Sequence, residues 1–137
     1  MAQQAVVDAV IARLNANWTT TSVFVPNDPR GDTPADGSPF VSVQFPTATE
    51  TFIAMAAVGS RLVREAGTAR IVVSVPRGQG LDLGLGYCGT LAALFRLQTF
   101  SGVVCFEASP PFDNDSGDNG AYWVLSTSIS YQFDFFA

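Results

Sequence analysis

The residues with the strongest claim to chemistry are Gly84-Leu85-Gly86-Tyr87-Cys88-Gly89. They match the G-x-G-x-x-G pattern, whose glycines let a backbone approach a dinucleotide pyrophosphate at a helix N-terminus. A β-branched run at 71–75 precedes them and an acidic residue, Glu107, follows. The surroundings argue against a cofactor. The fingerprint needs a tight strand-to-helix turn, yet a proline-containing stretch separates Val75 from Gly84. The chain beyond Glu107 is too short for a second βαβ unit, and the segments before the glycines alternate like antiparallel strands. We expect a loosely wound helix start and no cofactor, with a small dinucleotide-binding module as the remote alternative.

Other candidate chemistry is weaker. Asp113-Asn114-Asp115-Ser116-Gly117-Asp118-Asn119-Gly120 is rich in oxygen ligands. In EF-hand register, however, the fifth, sixth and twelfth places hold Gly117, Asp118 and Val124, which breaks the calcium pattern. An Asx-rich hairpin turn is expected instead. Arg30-Gly31-Asp32 spells an adhesion tripeptide, but any loop of Gly, Asp and Pro produces it easily. Cys88 and Cys105 are too few for a zinc site and are expected as buried, reduced thiols, with a disulfide as the alternative. Asp82 and Glu107 could form a carboxylate pair, although nothing in their spacing singles them out.

The chain has no histidine, and all seven of its basic residues are arginine. Missing His removes the commonest general base and metal ligand, and missing Lys removes Schiff-base and P-loop chemistry. No enzyme active site is expected, and no metal. A net charge of −5 without a basic run disfavours nucleic-acid binding. No cationic n-region opens the chain and no apolar stretch reaches bilayer length, so neither a signal peptide nor membrane contact is expected.

The elements that must position these residues read as follows. Val7, Val10, Ile11, Leu14 and Trp18 recur at helical spacing, predicting a first helix that ends near Asn17. Residues 23–25 form a short strand, and 26–39 an exposed, mobile loop rich in Pro, Gly and Asp. A strand over 40–45 closes at Pro46. Residues 50–58 and 61–75 form a long hairpin turning at Gly59-Ser60, interrupted if anywhere at Gly67. A second helix spans 81–97, weakened at first by its glycines, and a strand follows over 103–108. From Trp123 to Phe135 every second residue is large or β-branched, which gives an unusually long final strand able to outrun its own sheet. The 137 residues therefore predict a single α+β domain. Its sheet is mixed or mainly antiparallel, with two helices packed on one face, a long hairpin and a long C-terminal strand.

This layout resembles the tail terminator proteins of long-tailed bacteriophages, the lambda-type family with relatives in prophages and gene transfer agents. The likeness rests on the N-terminal helix and on the proline-led strand Pro39-Phe40-Val41-Ser42-Val43. It rests also on the apolar run Ile71-Val72-Val73-Ser74-Val75-Pro76 before the second helix, and on the alternating strand opened by Gly120 and Trp123. The loop at 26–37 and the Ala-rich stretch at 54–57 depart from it. The resemblance implies a virion protein of the tail or neck, assembled in the host cytoplasm as a homo-oligomer, a hexameric ring. Such a ring caps the tail tube, ends polymerisation of the major tail tube protein and meets the head–tail connector or stopper. Another neck component, such as a head–tail stopper, is the alternative. A ring closed by unlike contacts needs two different patches on each subunit. The hairpin, with Phe52, Met55, Arg61, Arg64 and Arg70, is expected to supply one. The end of the last strand, with Phe135 and Phe136, is expected to supply the other.

Overall fold

The computed structural model describes residues 1–113 and 120–137. Most of the calcium-like Asx motif falls outside them. The elements in chain order are α1 (Gln4–Asn17), β1 (Ser22–Phe24), β2 (Phe40–Ala57), β3 (Ser60–Pro76), α2 (Asp82–Phe95), β4 (Thr99–Phe100), β5 (Val103–Ala108), β6 (Phe112–Asp113) and β7 (Tyr122–Phe136). One curled sheet runs β1-β2-β3-β7-β5-β4, with β6 on the side of β7. Among the described residues all its pairings are antiparallel except β1 with β2. Both helices pack on one face, as the α+β expectation has it.

The parallel pairing explains the long loop at 26–39. A chain leaving β1 must travel back the full length of the strand before β2 can start alongside it. The loop is tied down along the way. Asp28 pairs with Arg30 at 2.9 Å, and the Arg30 guanidinium sits 4.7 Å from the Phe24 ring centroid and donates to the Val23 carbonyl. The Tyr122 hydroxyl donates to the Ser38 carbonyl at 3.0 Å.

Pro46 does not end its strand, contrary to expectation. β2 runs on to Ala57, with a register shift between Gln44 and Thr47. β1 covers only Phe40–Ser42 of β2, so Pro46 stands at an open sheet edge, where a missing N–H breaks no ladder. Nor does Gly67 interrupt β3. β7 does not outrun the sheet either, because β3 pairs with it from Pro76↔Tyr122 to Leu62↔Phe136.

The core lies between the helices and one sheet face. Val41, Val43, Ile71, Val73, Val75, Leu125, Ile129 and Tyr131 meet Val6, Val10, Leu14, Cys88, Leu91 and Phe95. The buried stripe of α1 is turned slightly from the expected one. Val6 and Ala9 join Val10 and Leu14 in it, and Val7 and Ile11 sit at its flank. On the opposite face a smaller cluster joins Phe24, Phe40, Val72, Tyr122 and Val124. Phe40 packs edge-on against both Phe24 and Tyr122. Elsewhere that face is mainly Ser and Thr from β2, β3 and β7, with Gln44 and Arg70 among them.

Helix α2 begins at Asp82, within a residue of the expected start, and ends at Phe95, two residues short of the expected end. Gly84 lets it lie close on β7, since a Cβ there would come within 2.9 Å of Leu125 Cδ1 and 3.2 Å of Trp123. Gly86 and Gly89 face open space inside the helix. The glycine pattern thus serves helix–sheet packing at one position, and no cradle in the preceding turn is formed from it.

Candidate protein-interaction surface

No residue of either core cluster lies between 46 and 68. Beyond the helices, β2 and β3 continue as a hairpin, and the end of β7 runs beside them. Together they form a three-stranded finger. Its turn is set by Gly59, whose φ of 82° suits glycine. The register carries Phe52, Val63 and Phe135 across one row, and Thr51, Arg64 and Asp134 across the next. Leu62 faces Phe136, and Met55 faces Arg61. The backbones of Arg61 and Ala137 exchange hydrogen bonds at 2.9 and 3.3 Å, which ties the chain end to the finger.

The finger is apolar where it should be wet. Phe52, Ile53, Met55, Val58 and Phe136 are all exposed, Val58 completely. Exposed apolar side chains gathered in one place mark an association surface more reliably than scattered ones. Arg64 and Asp134 form a two-pronged pair at 2.8 and 3.0 Å on the finger's flank. That contact holds the Asp134 carboxyl below its usual range, the hydrogen bond to Arg64 being the main cause.

Six of the seven residues singled out in sequence meet on this finger; Arg70 does not. It lies further along β3, on the Ser/Thr face opposite Gln44 and Ser128, with a buried Nε that has no hydrogen-bond partner. The hairpin and the end of β7, expected as separate patches, are one.

The finger's base rests on a cluster that was not visible in the sequence. Glu65 is only 2% exposed. Its carboxylate accepts the Tyr131 hydroxyl at 2.5 Å and the backbone N–H of Gln3 at 3.1 Å. The Gln3 side chain donates at 2.9 Å to Glu50, which stands opposite Glu65 in the register. The start of α1 is thereby fixed to β3 by a side chain 62 residues away. Gly67 makes room for the Tyr131 ring. A Cβ there would lie 2.5 Å from the Thr47 carbonyl oxygen and 2.7 Å from the Tyr131 hydroxyl. Burial, the Glu65 hydrogen bond and the Glu65 charge all raise the Tyr131 phenol above its usual value.

At the other end of β3 lies a second surface, which the sequence does not mark. Pro76, Arg77, Gly78, Gly80, Leu81 and Trp123 line a mainly apolar cleft of about 220 Å³. Leu81, in its lining, is exposed, and so is Leu85 one helical turn along α2. Two other clefts are polar, one lined by Thr19, Thr20, Thr21 and Ser22, the other by Gln3, Gln4, Glu50 and Glu65.

Among the described residues no group of His, Cys, Asp and Glu could hold a metal ion. Asp82 and Glu107 are both exposed, on α2 and β5. Cys88 and Cys105 are free and buried, and desolvation pushes both thiols up to about 11. Among the described residues no helix is long and apolar enough to cross a membrane.

Comparisons with known proteins follow the same line. The family model described as phage tail terminator protein matches residues 5–131. One solved structure is 22% identical, with a TM-score of 0.65, over 100% of this chain and 99% of its own, a likeness that shows the fold. No curated protein matches.

Proposed function

The chain belongs to the phage tail terminator family and is a structural protein of the phage tail; from that premise we propose that it assembles into a closed ring, with six subunits, on the end of the tail tube. The ring ends polymerisation of the tube protein and offers its other side to the head–tail connector. Assembly takes place in the host cytoplasm, and the finished ring stays in the virion neck.

The observation that carries this reading is the apolar finger. Phe52, Met55 and Phe136 stand exposed on an element that contributes nothing to the core, which is costly for a lone subunit in water and useful only against a partner. The finger's arginines fit the same use, since Arg is enriched at protein interfaces. The reading needs no chemistry from the chain, in keeping with the absence of His and Lys.

The test is assembly. Light scattering of the purified protein, alone and with tube protein, should give a species several subunits in mass, and electron micrographs should show short rings and tails of finished length. Phe52→Asp with Met55→Asp should abolish that species while leaving the melting curve of the subunit in place. A protein that stays monomeric at high concentration, with and without tube protein, would overturn the proposal.

A further inference from the structure

A ring closed by identical subunits needs a projecting surface and a different surface that receives it. The two surfaces expected from the sequence coincide, so the finger supplies one and the receiver must lie elsewhere. We infer that the receiver is the cleft between Pro76, Leu81 and Trp123, and that its occupant is the finger of a second copy of this chain. The inference rests on the ring reading above.

Three features of the molecule support that occupant. The first is position. Finger and cleft sit at opposite ends of β3, separated by about 50 Å of extended strand. No subunit can therefore fill its own cleft, and each contact made this way leaves a finger and a cleft free at the two ends. That is the condition for head-to-tail closure. The second is lining. This cleft is mainly apolar, with the exposed Leu81 in its lining, and suits Phe52, Met55 and Val58. The polar clefts beside Thr19–21 and beside Glu50 do not. The third is charge. Asp82, exposed in the first turn of α2, stands next to Leu81, and the finger carries the exposed Arg61 beside Met55. The Nε of Arg77, the cationic residue in the cleft, is held by the Gly120 carbonyl at 2.8 Å.

The experiment uses full-length single-cysteine additions, Met55→Cys and Leu81→Cys. The native thiols are buried and raised to about 11, so at neutral pH a short bis-maleimide addresses the new ones. Mixing the two variants should give covalent dimers, and each variant alone should give almost none. A chain carrying both substitutions should give a ladder ending at the ring. Leu81→Asp should raise the dissociation constant for assembly at least ~10-fold, with the far-UV spectrum unchanged. If light scattering shows the oligomer but only Met55→Cys with itself cross-links, or no pair does, the cleft is not the receiver and the ring reading survives. If no oligomer forms under any condition, the ring reading fails and this inference fails with it.

Discussion

Replacing Tyr131 by Phe deletes one oxygen and little else. The ring stays in place, being 2% exposed and boxed in by Gly67 and the core. What is lost is the 2.5 Å hydrogen bond to Glu65, a side chain that is itself only 2% exposed. A hydrogen bond to a charged acceptor contributes about 1.5–3 kcal/mol, and leaving a buried acceptor short keeps the cost in that range. The Gln3 N–H remains as a donor, so the fold should survive. At this chain length the loss corresponds to a fall in Tm of roughly 5–10 °C. Urea titration followed by tryptophan fluorescence, at fixed protomer concentration, measures it directly. The same bond predicts an alkaline signature. The folded state holds the Tyr131 proton more tightly than the unfolded chain, whose phenol releases it near pH ~10. The stability this supplies is complete below that pH and is lost as pH rises beyond it. Tyr131→Phe should therefore flatten the decline above pH ~10 by up to about 1.4 kcal/mol per pH unit. A loss under ~0.5 kcal/mol at pH 7, or an unaltered alkaline slope, would refute the account of Glu65 as a buried anchor.

Gly67→Ala should cost about 2–4 kcal/mol by the same denaturation assay, because the new Cβ meets the Thr47 backbone at 2.5 Å and displaces Tyr131. The glycines of α2 should divide sharply. Gly86→Ala and Gly89→Ala enter open space in a helix and should each stabilise by about 0.5–1 kcal/mol, whereas Gly84→Ala strikes Leu125 at 2.9 Å and should destabilise. Cys88 and Cys105 should resist a thiol-specific disulfide reagent at pH 8 in the folded protein and react promptly in denaturant.

Much of this architecture was legible in the residues. The alternation from Trp123 to Phe135 located β7 to within a residue at each end, and the β-branched run at 71–75 marked the centre of the sheet. Periodicity is strong there because one face is buried along most of the strand. Pro46 misled because a proline says that an N–H is missing, not whether a neighbouring strand wanted it. β4 and β6, two residues each, are too short to carry any period. Glu65 lies between Arg64 and Ala66 and reads as solvent-facing; its partners Gln3 and Tyr131 are 62 and 66 residues distant, and local pattern holds no trace of them. The apolar content of the finger was visible in Phe52, Met55 and Phe136. That the hairpin and the chain end form one surface was not, since this depends on the β3–β7 register. The cleft was hidden for a related reason. Pro76, Leu81 and Trp123 come from three separate segments, a connection, a weak helix start and a strand end, and no local pattern joins them.

The separation of the finger from the core bears on how such a protein can change over time. Residues 46–68 contribute nothing to either buried cluster, and the anchor at Glu65 and Gly67 marks where the shared scaffold ends. Mutations outward of that boundary leave both cores intact and, apart from Gly59 at the turn, are judged chiefly by what the surface touches. A lineage can therefore rewrite its assembly contacts, tracking drift in the proteins it meets, while the helices and the inner sheet stand still. Family members should accordingly diverge fastest at the fingertip, and recombination between them is best tolerated at the boundary, where a foreign finger inherits an intact base.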